Sequence, residues 1–175
     1  MVALVVTLFY ASSLGAQQMT TFQPITPTLE PLLRATIRLA PPQIVGTMAM
    51  GTRRIINITG GHFRGEKLAG EVLPGGADWQ LVRPDGVAIL EARYTLQTDD
   101  GALIYVQNRG LRHGPPEILA ALARGEAVDP ASYYMRTTPI FETGDARYSW
   151  LNDIVAVGSG IRQPDAVVLD FYQLT

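Results

Sequence analysis

From Leu29 to Leu174 the sequence is a succession of short β-type runs cut by Gly, Pro and Asp, and this spacing constrains the fold more than any other feature. A parallel sheet needs a crossover of a dozen or more residues, usually a helix, between successive strands, and the intervals here are mostly too short. The spacing predicts strands at Leu32–Leu39, Arg53–Thr59, Lys67–Leu73, Asp78–Val82, Val87–Thr98, Ala102–Arg109, Met135–Thr143, Asn152–Val157 and Ala166–Leu174. Asp99-Asp100-Gly101 joins two of them with a glycine able to take φ > 0, so Val87–Thr98 and Ala102–Arg109 are expected as an antiparallel hairpin. Arg83-Pro84-Asp85-Gly86 is a second turn of this chemistry, with proline pre-set at its second position. One helix is expected: Pro115-Pro116 opens it, Glu117 and Arg124 match its dipole, and Gly125 ends it. Its Ile118, Leu119 and Leu122 form an apolar stripe. The expected fold is therefore all-β, an antiparallel barrel of about eight or nine strands with one short helix plugging or flanking it.

The chain has 175 residues, enough for one domain of ordinary size behind a processing segment. Residues 1–16 read as a signal peptide: Val2–Tyr10 is an apolar run, small residues follow, and Leu14-Gly15-Ala16 fits a cleavage site. No basic residue precedes the run, a departure from the usual pattern. The run is short for a transmembrane helix, so no stable membrane insertion is expected after removal. Residues 17–28 read as a linker and residues 29–175 as the single barrel domain. The expected location is periplasmic or secreted, and otherwise cytoplasmic. A formal charge of −2 argues against nucleic acid as a partner. The absence of cysteine excludes thiolate nucleophiles and Cys-ligated metals, and two isolated histidines do not form an imidazole metal site. No metal and no cofactor are expected.

Candidate chemistry lies among polar residues placed on apolar strands. On Val87–Thr98 the alternation puts Ala88, Leu90, Ala92, Tyr94 and Leu96 on one face, assigned here to the interior. Asp78 beside Trp79 suggests a carboxyl against an indole wall, a setting that raises a carboxyl pKa toward neutrality. Consecutive strand residues face opposite sides unless Gly75-Gly76 bulges, so a turn-capping Asp78 and a core Trp79 stay open. Arg136 is the single basic residue in its run and would meet an anionic group or a carboxylate partner. Tyr105, Asn108, Phe141, Trp150 and Asn152 would line a pocket with Trp79, or pack as core. Gly158-Ser159-Gly160 lacks the spacing of a nucleophile elbow and reads as a turn between the last two strands. Leu73–Ala77 reads as a bend or bulge, Arg53-Arg54 as a strand-edge charge pair in preference to a ligand clamp, and His62 and His113 as residues near turns.

Several stretches fall in one family's order: Gly70–Trp79, Arg83–Gly86, Tyr94-Thr95 with Thr98–Ala102, Tyr105–Arg109, Arg136–Pro139 with Phe141-Glu142, and Trp150–Asn152. Through them the chain resembles the family called domain of unknown function 3237. The resemblance implies a β-barrel similar to that of allene oxide cyclases and dirigent proteins. It also implies a reaction style, because some fungal relatives look like cofactor-free cyclases in polyketide pathways. The N-terminal segment departs from shorter members that begin near the first strand. The expected function is a cofactor-free isomerase or cyclase acting on an apolar or aromatic small molecule. In it Asp78 is the acid or base, Tyr94 a hydrogen-bond donor and Arg136 a charge stabiliser. The alternative is a small-molecule-binding protein without chemistry, and self-association through a strand edge is open in either case.

Overall fold

The structure, a computed structural model, describes residues 23–175, so the signal-peptide reading of residues 1–16 lies outside the described residues. The strands are β1 (Leu29–Leu39), β2 (Gln43–Met48), β3 (Gly51–Arg64), β4 (Ala69–Val72), β5 (Ala77–Val82), β6 (Ala88–Thr98), β7 (Leu103–His113), β8 (Tyr134–Glu142), β9 (Ala156–Arg162) and β10 (Ala166–Leu174). Helix α1 (Pro116–Ala123) sits between β7 and β8, and a 3-10 turn at Ser149–Asp153 precedes β9. All pairings are antiparallel, and β1 closes the sheet by pairing with both β10 and β3. The result is a closed eight-stranded barrel with two extra strands, because β4 and β5 share one position between β3 and β6 while β2 pairs only with the start of β3.

Strand alternation builds the interior as expected on β6, where Ala88, Leu90, Tyr94 and Leu96 are buried. The half of the barrel near the β6–β7 turn is filled by apolar side chains, among them Phe63, Leu96, Ile104, Val106 and Leu151, with Phe141 and Phe171 edge to face at 5.9 Å. Tyr148 donates its hydroxyl to Asp100, and Lys67 lies over the Trp150 ring, so the 3-10 turn is tied across this end. The opposite end carries α1, whose Leu122 is buried and whose Ile118 and Leu119 pack on the core.

Three local expectations change. β2 was not foreseen, since its six residues are exposed or half-buried and Gly46 interrupts their alternation. Asn152 belongs to the 3-10 turn rather than to a strand, and Gly158-Ser159-Gly160 lies inside β9 rather than in a turn. Gly158 and Gly160 face inward, where a Cβ would crowd Thr137, Phe171 and Met135, so the side chains of the adjoining strands β8 and β10 need these glycines. The β9–β10 turn comes later, with Gln163 N–H bonded to the Ala166 carbonyl.

Leu73–Gly76 forms the expected bend. Gly75 has φ +109°, a region glycine favours, and Ile58 N–H donates to the Gly76 carbonyl at 2.8 Å. A Cβ on Gly76 would lie 2.7 Å from Tyr94 Cβ and would overlap the Arg93 carbonyl. Gly76→Ala is therefore expected to lower stability by about 1–3 kcal/mol, the usual scale of overpacking, read as a drop in the thermal unfolding midpoint. An unchanged midpoint would show that the bend relaxes freely.

Candidate functional site

The interior is divided between an apolar half and a polar half. Toward α1 the lumen leaves a cavity of about 50 Å³, lined on one side by Ile37, Ile56, Ile58 and Leu169 and on the other by Asp78, Gln80, Asn108 and Arg112. Tyr94, Thr137 and Arg162 also face it. The space suits a small group or a few water molecules.

Asp78 enters because β5 resumes its alternation after the glycine bend, which turns Asp78 and Gln80 inward and Trp79 outward. Asp78 Oδ1 accepts the Glu91 backbone N–H at 2.9 Å, and Oδ2 accepts the Gln80 side-chain N–H at 2.9 Å. Gln80 can donate there because its own carbonyl accepts from Arg54 Nη2, an arrangement that fixes the amide's orientation. Burial pushes the Asp78 carboxyl above the usual carboxylate range; the Glu91 N–H, Gln80, Arg112 and Arg54 oppose that rise. The cause is the closed lumen itself, and Trp79 takes no part in it.

Three arginines surround this carboxylate. Burial lowers the Arg112 pKa to about 10, and the neighbouring Arg54 and Arg162 add repulsion. Arg54 and Arg162 are likewise held below the ordinary guanidinium value, chiefly by burial. All three stay protonated at neutral pH. Among the described residues, no carboxylate lies within salt-bridge distance of any of them. The buried side-chain polar atoms without a hydrogen-bond partner are Arg54 Nε, Tyr94 Oη, Asn108 Oδ1, Arg112 Nε and Thr137 Oγ1. Four of the five belong to residues lining this cavity and the fifth, Arg54 Nε, lies beside it; among the described residues no other buried side-chain polar atom is without a partner.

The expected site residues thus separate. Asp78, Tyr94 and Asn108 meet in the lumen. Arg136 lies on the outer face of β8, donates to the Met135 carbonyl at 2.9 Å and sits 5.3 Å from the Tyr134 ring centre, so the guanidinium charge facing Asp78 comes from Arg54 and Arg112 instead. Trp79 is outside, 36% exposed, with Arg93 over its ring. Tyr105 lines outer grooves, Phe141 is apolar core, and Trp150 packs at the far end of the barrel. Asn152 brackets Thr143, accepting its N–H and donating to its carbonyl, both at 2.9 Å. His113 is outside, stacked on Tyr134 at 4.7 Å, and His62 is exposed on β3.

Sequence reasoning passed over Gln80, Arg112, Arg162 and Thr137 and read Arg54 as part of a strand-edge charge pair, whereas Arg54 donates to Gln80 beside Asp78; part of the signal was present. The β6–β7 hairpin pairs Tyr94 with Val106, Ala92 with Asn108 and Ala88 with Arg112. Once Ala88, Ala92 and Tyr94 are taken as interior, the register of that turn carries Asn108 and Arg112 inward with them. Arg162 needed the β9–β10 register, which the misplaced turn concealed.

A family model described as "Protein of unknown function (DUF3237)" matches residues 27–174. A UPF0311 protein of Rhodopseudomonas palustris is 48% identical over 152 residues, 86% of this chain and 99% of that protein. The crystal structure of a beta-barrel like protein of Acinetobacter baumannii is 50% identical, with a TM-score of 0.79 over 89% of this chain and all of the other. More distantly, a hydroalkoxylation enzyme of Penicillium herquei is 26% identical over 167 residues, 94% of this chain and 97% of that enzyme. The crystal structure of an enzyme from the same fungus superimposes with a TM-score of 0.67 at 25% identity, over 89% of this chain and 99% of that one. The matched span covers the whole barrel, its closing strands included, and the chain belongs to the DUF3237 family.

Proposed function

We propose that this protein is a cofactor-independent isomerase or cyclase that moves a proton within an apolar or aromatic small molecule whose reacting group enters the barrel lumen. The observation that carries this reading is Asp78: a carboxylate in the polar wall of a cavity whose facing wall is apolar, held by two donors and raised in pKa by burial. Both oxygens accept hydrogen bonds, which favours the ionised form and opposes the rise that burial brings; once ionised, Asp78 is the base. Burial makes it a stronger base than an exposed carboxylate, as proton abstraction near neutral pH requires.

Asp78 takes a proton from an O–H or C–H of the substrate while the electron pair moves into the new bond or onto oxygen. The same proton, returned at another atom, leaves a product isomeric with the substrate. Tyr94, buried with an unpartnered hydroxyl whose pKa burial raises, remains a neutral donor to a substrate oxygen. The distant relationship to a hydroalkoxylation enzyme is in keeping with this scheme, since adding an O–H across a double bond also moves a proton from oxygen to carbon.

The test is hydrogen exchange in D2O. Aryl ketones with an enolisable C–H are incubated with the purified chain, and deuterium uptake is followed by NMR. Exchange faster than in buffer, lost in Asp78→Asn, is expected. Binding of these ketones with no exchange above buffer would replace the enzyme by a small-molecule carrier.

A further inference from the structure

We propose that the lumen takes an anion: an apolar molecule whose carboxylate, phenolate or enolate oxygen meets the guanidinium of Arg112, with the charges of Arg54 and Arg162 beside it. This rests on the reading of the lumen as the reaction site and adds the class of molecule that enters it.

The charge balance is uneven. Arg112 and Arg162 line the lumen and Arg54 lies beside it on Gln80, while the one carboxylate in its wall among the described residues is Asp78, already held by a backbone N–H and by Gln80. Arg54 spends Nη2 on the neutral Gln80 carbonyl and keeps a buried Nε without a partner. Arg162 turns its Nη atoms to the backbone carbonyls of Gln163, Pro164 and Ala166, so its position is fixed by the β9–β10 turn while its charge remains. Arg112 is the most exceptional. It sits among two other cations, its buried Nε has no partner, and no carboxylate lies within salt-bridge reach among the described residues. The three side chains are half-buried, and a buried polar atom left without a partner, such as Arg112 Nε, is costly. A site that keeps this cost without an internal counterion retains a positive potential, strengthened by the low dielectric of the barrel.

The remaining wall defines the other end of the ligand. Ile37, Leu39, Ile56, Ile58, Val167 and Leu169 are apolar and offer no hydrogen bonds from their side chains. A molecule with one anionic oxygen and an apolar body satisfies both halves. The arrangement also suits the proton transfer, because removal of a proton by Asp78 leaves negative charge on the substrate where the guanidiniums can stabilise it.

The test is calorimetric titration of the purified chain at mildly alkaline pH with two anions, benzoate and 4-nitrophenolate, against their neutral counterparts benzamide and nitrobenzene. At least one anion is expected to bind about tenfold or more tightly than its counterpart, as charge-assisted hydrogen bonds would give. Preference for one anion alone identifies the head group as carboxylate or phenolate. Arg112→Met should abolish the preference, Arg112→Lys should retain part of it, and Asp78→Asn should tighten anion binding by removing the competing negative charge. Equal binding of charged and neutral probes, no binding of either anion at millimolar concentration, or an intact preference in Arg112→Met would overturn the proposal. Binding and exchange are separate readouts: anion preference without exchange in D2O leaves the anion site and removes the catalysis, and exchange without anion preference does the reverse.

Discussion

Asp78→Asn lowers turnover by about 10²–10⁴-fold, the range attributable to a positioned general base, while the protein stays folded and still takes up its ligand. The substitution keeps an oxygen for the Glu91 N–H, so the inner wall of β5 is preserved, and it removes the group that can accept a proton. Part of its folding cost, the bond from Gln80, is offset because a neutral amide replaces a carboxylate whose charged form burial disfavours. The pH dependence has a definite sign. A carboxyl whose folded-state pKa is raised adds stability that is fully present below the ordinary range, near ~4, and is lost as pH rises through the raised value. The stability of Asp78→Asn relative to the parent should therefore grow across that window. Turnover by the parent should rise over the same window as Asp78 becomes ionised. Rate and denaturation profiles measured across acidic to neutral pH on both proteins check these statements together, and an unchanged rate in Asp78→Asn would remove Asp78 from the chemistry.

Arg112→Met raises the stability of the barrel by about 1–3 kcal/mol, the scale of an uncompensated buried polar or charged group, which for a domain of this size is a rise of roughly 3–10 °C in unfolding midpoint. Methionine keeps most of the aliphatic volume and brings no charge between Arg54 and Arg162. Here the sign runs the other way: Arg112 is a base with a depressed folded-state pKa, so its penalty is present at neutral pH and is relieved only as pH rises past about 10. The advantage of Arg112→Met should narrow in that range, as paired denaturation curves would show. A second consequence follows for Asp78, whose carboxyl Arg112 helps to hold down, so the pH midpoint of turnover should move upward in the variant. A stabilised protein that has lost its anion preference would mark Arg112 as a residue kept for function at the expense of stability. A destabilised one would show that the guanidinium is part of the scaffold.

The fold was more legible than the site because local rules determine much of a β-barrel. Gly101 and Gly86, with φ of +89° and +85°, occupy the two turns that turn chemistry predicts. Period-two alternation on β6 correctly separates its buried face from its exposed one. The helix bounded by Pro115-Pro116 and Gly125 forms as α1. Where side chains were small or the pattern broken, local rules failed: β2 is almost wholly exposed, and β9 is divided by two glycines that make room for side chains of the adjoining strands.

For the site, the residue sequence by itself determined which side chains share a face of a strand, and hence that Asp78 and Trp79 part company unless the backbone bulges. Period two says nothing about which face becomes the interior of the barrel, or about which strand ends come to the same mouth. Those were decided when β1 paired with β3 and the sheet closed. Closure brought Arg54 of β3, Asp78 of β5, Arg112 of β7 and Arg162 of β9 around one lumen, although they lie far apart in the chain. It also left Arg136 outside, on the alternate face of β8 from Met135 and Thr137. Local backbone chemistry acts over a few residues and so fixes turns and faces, whereas the field at Asp78 is a sum over charges that only the closed barrel makes neighbours.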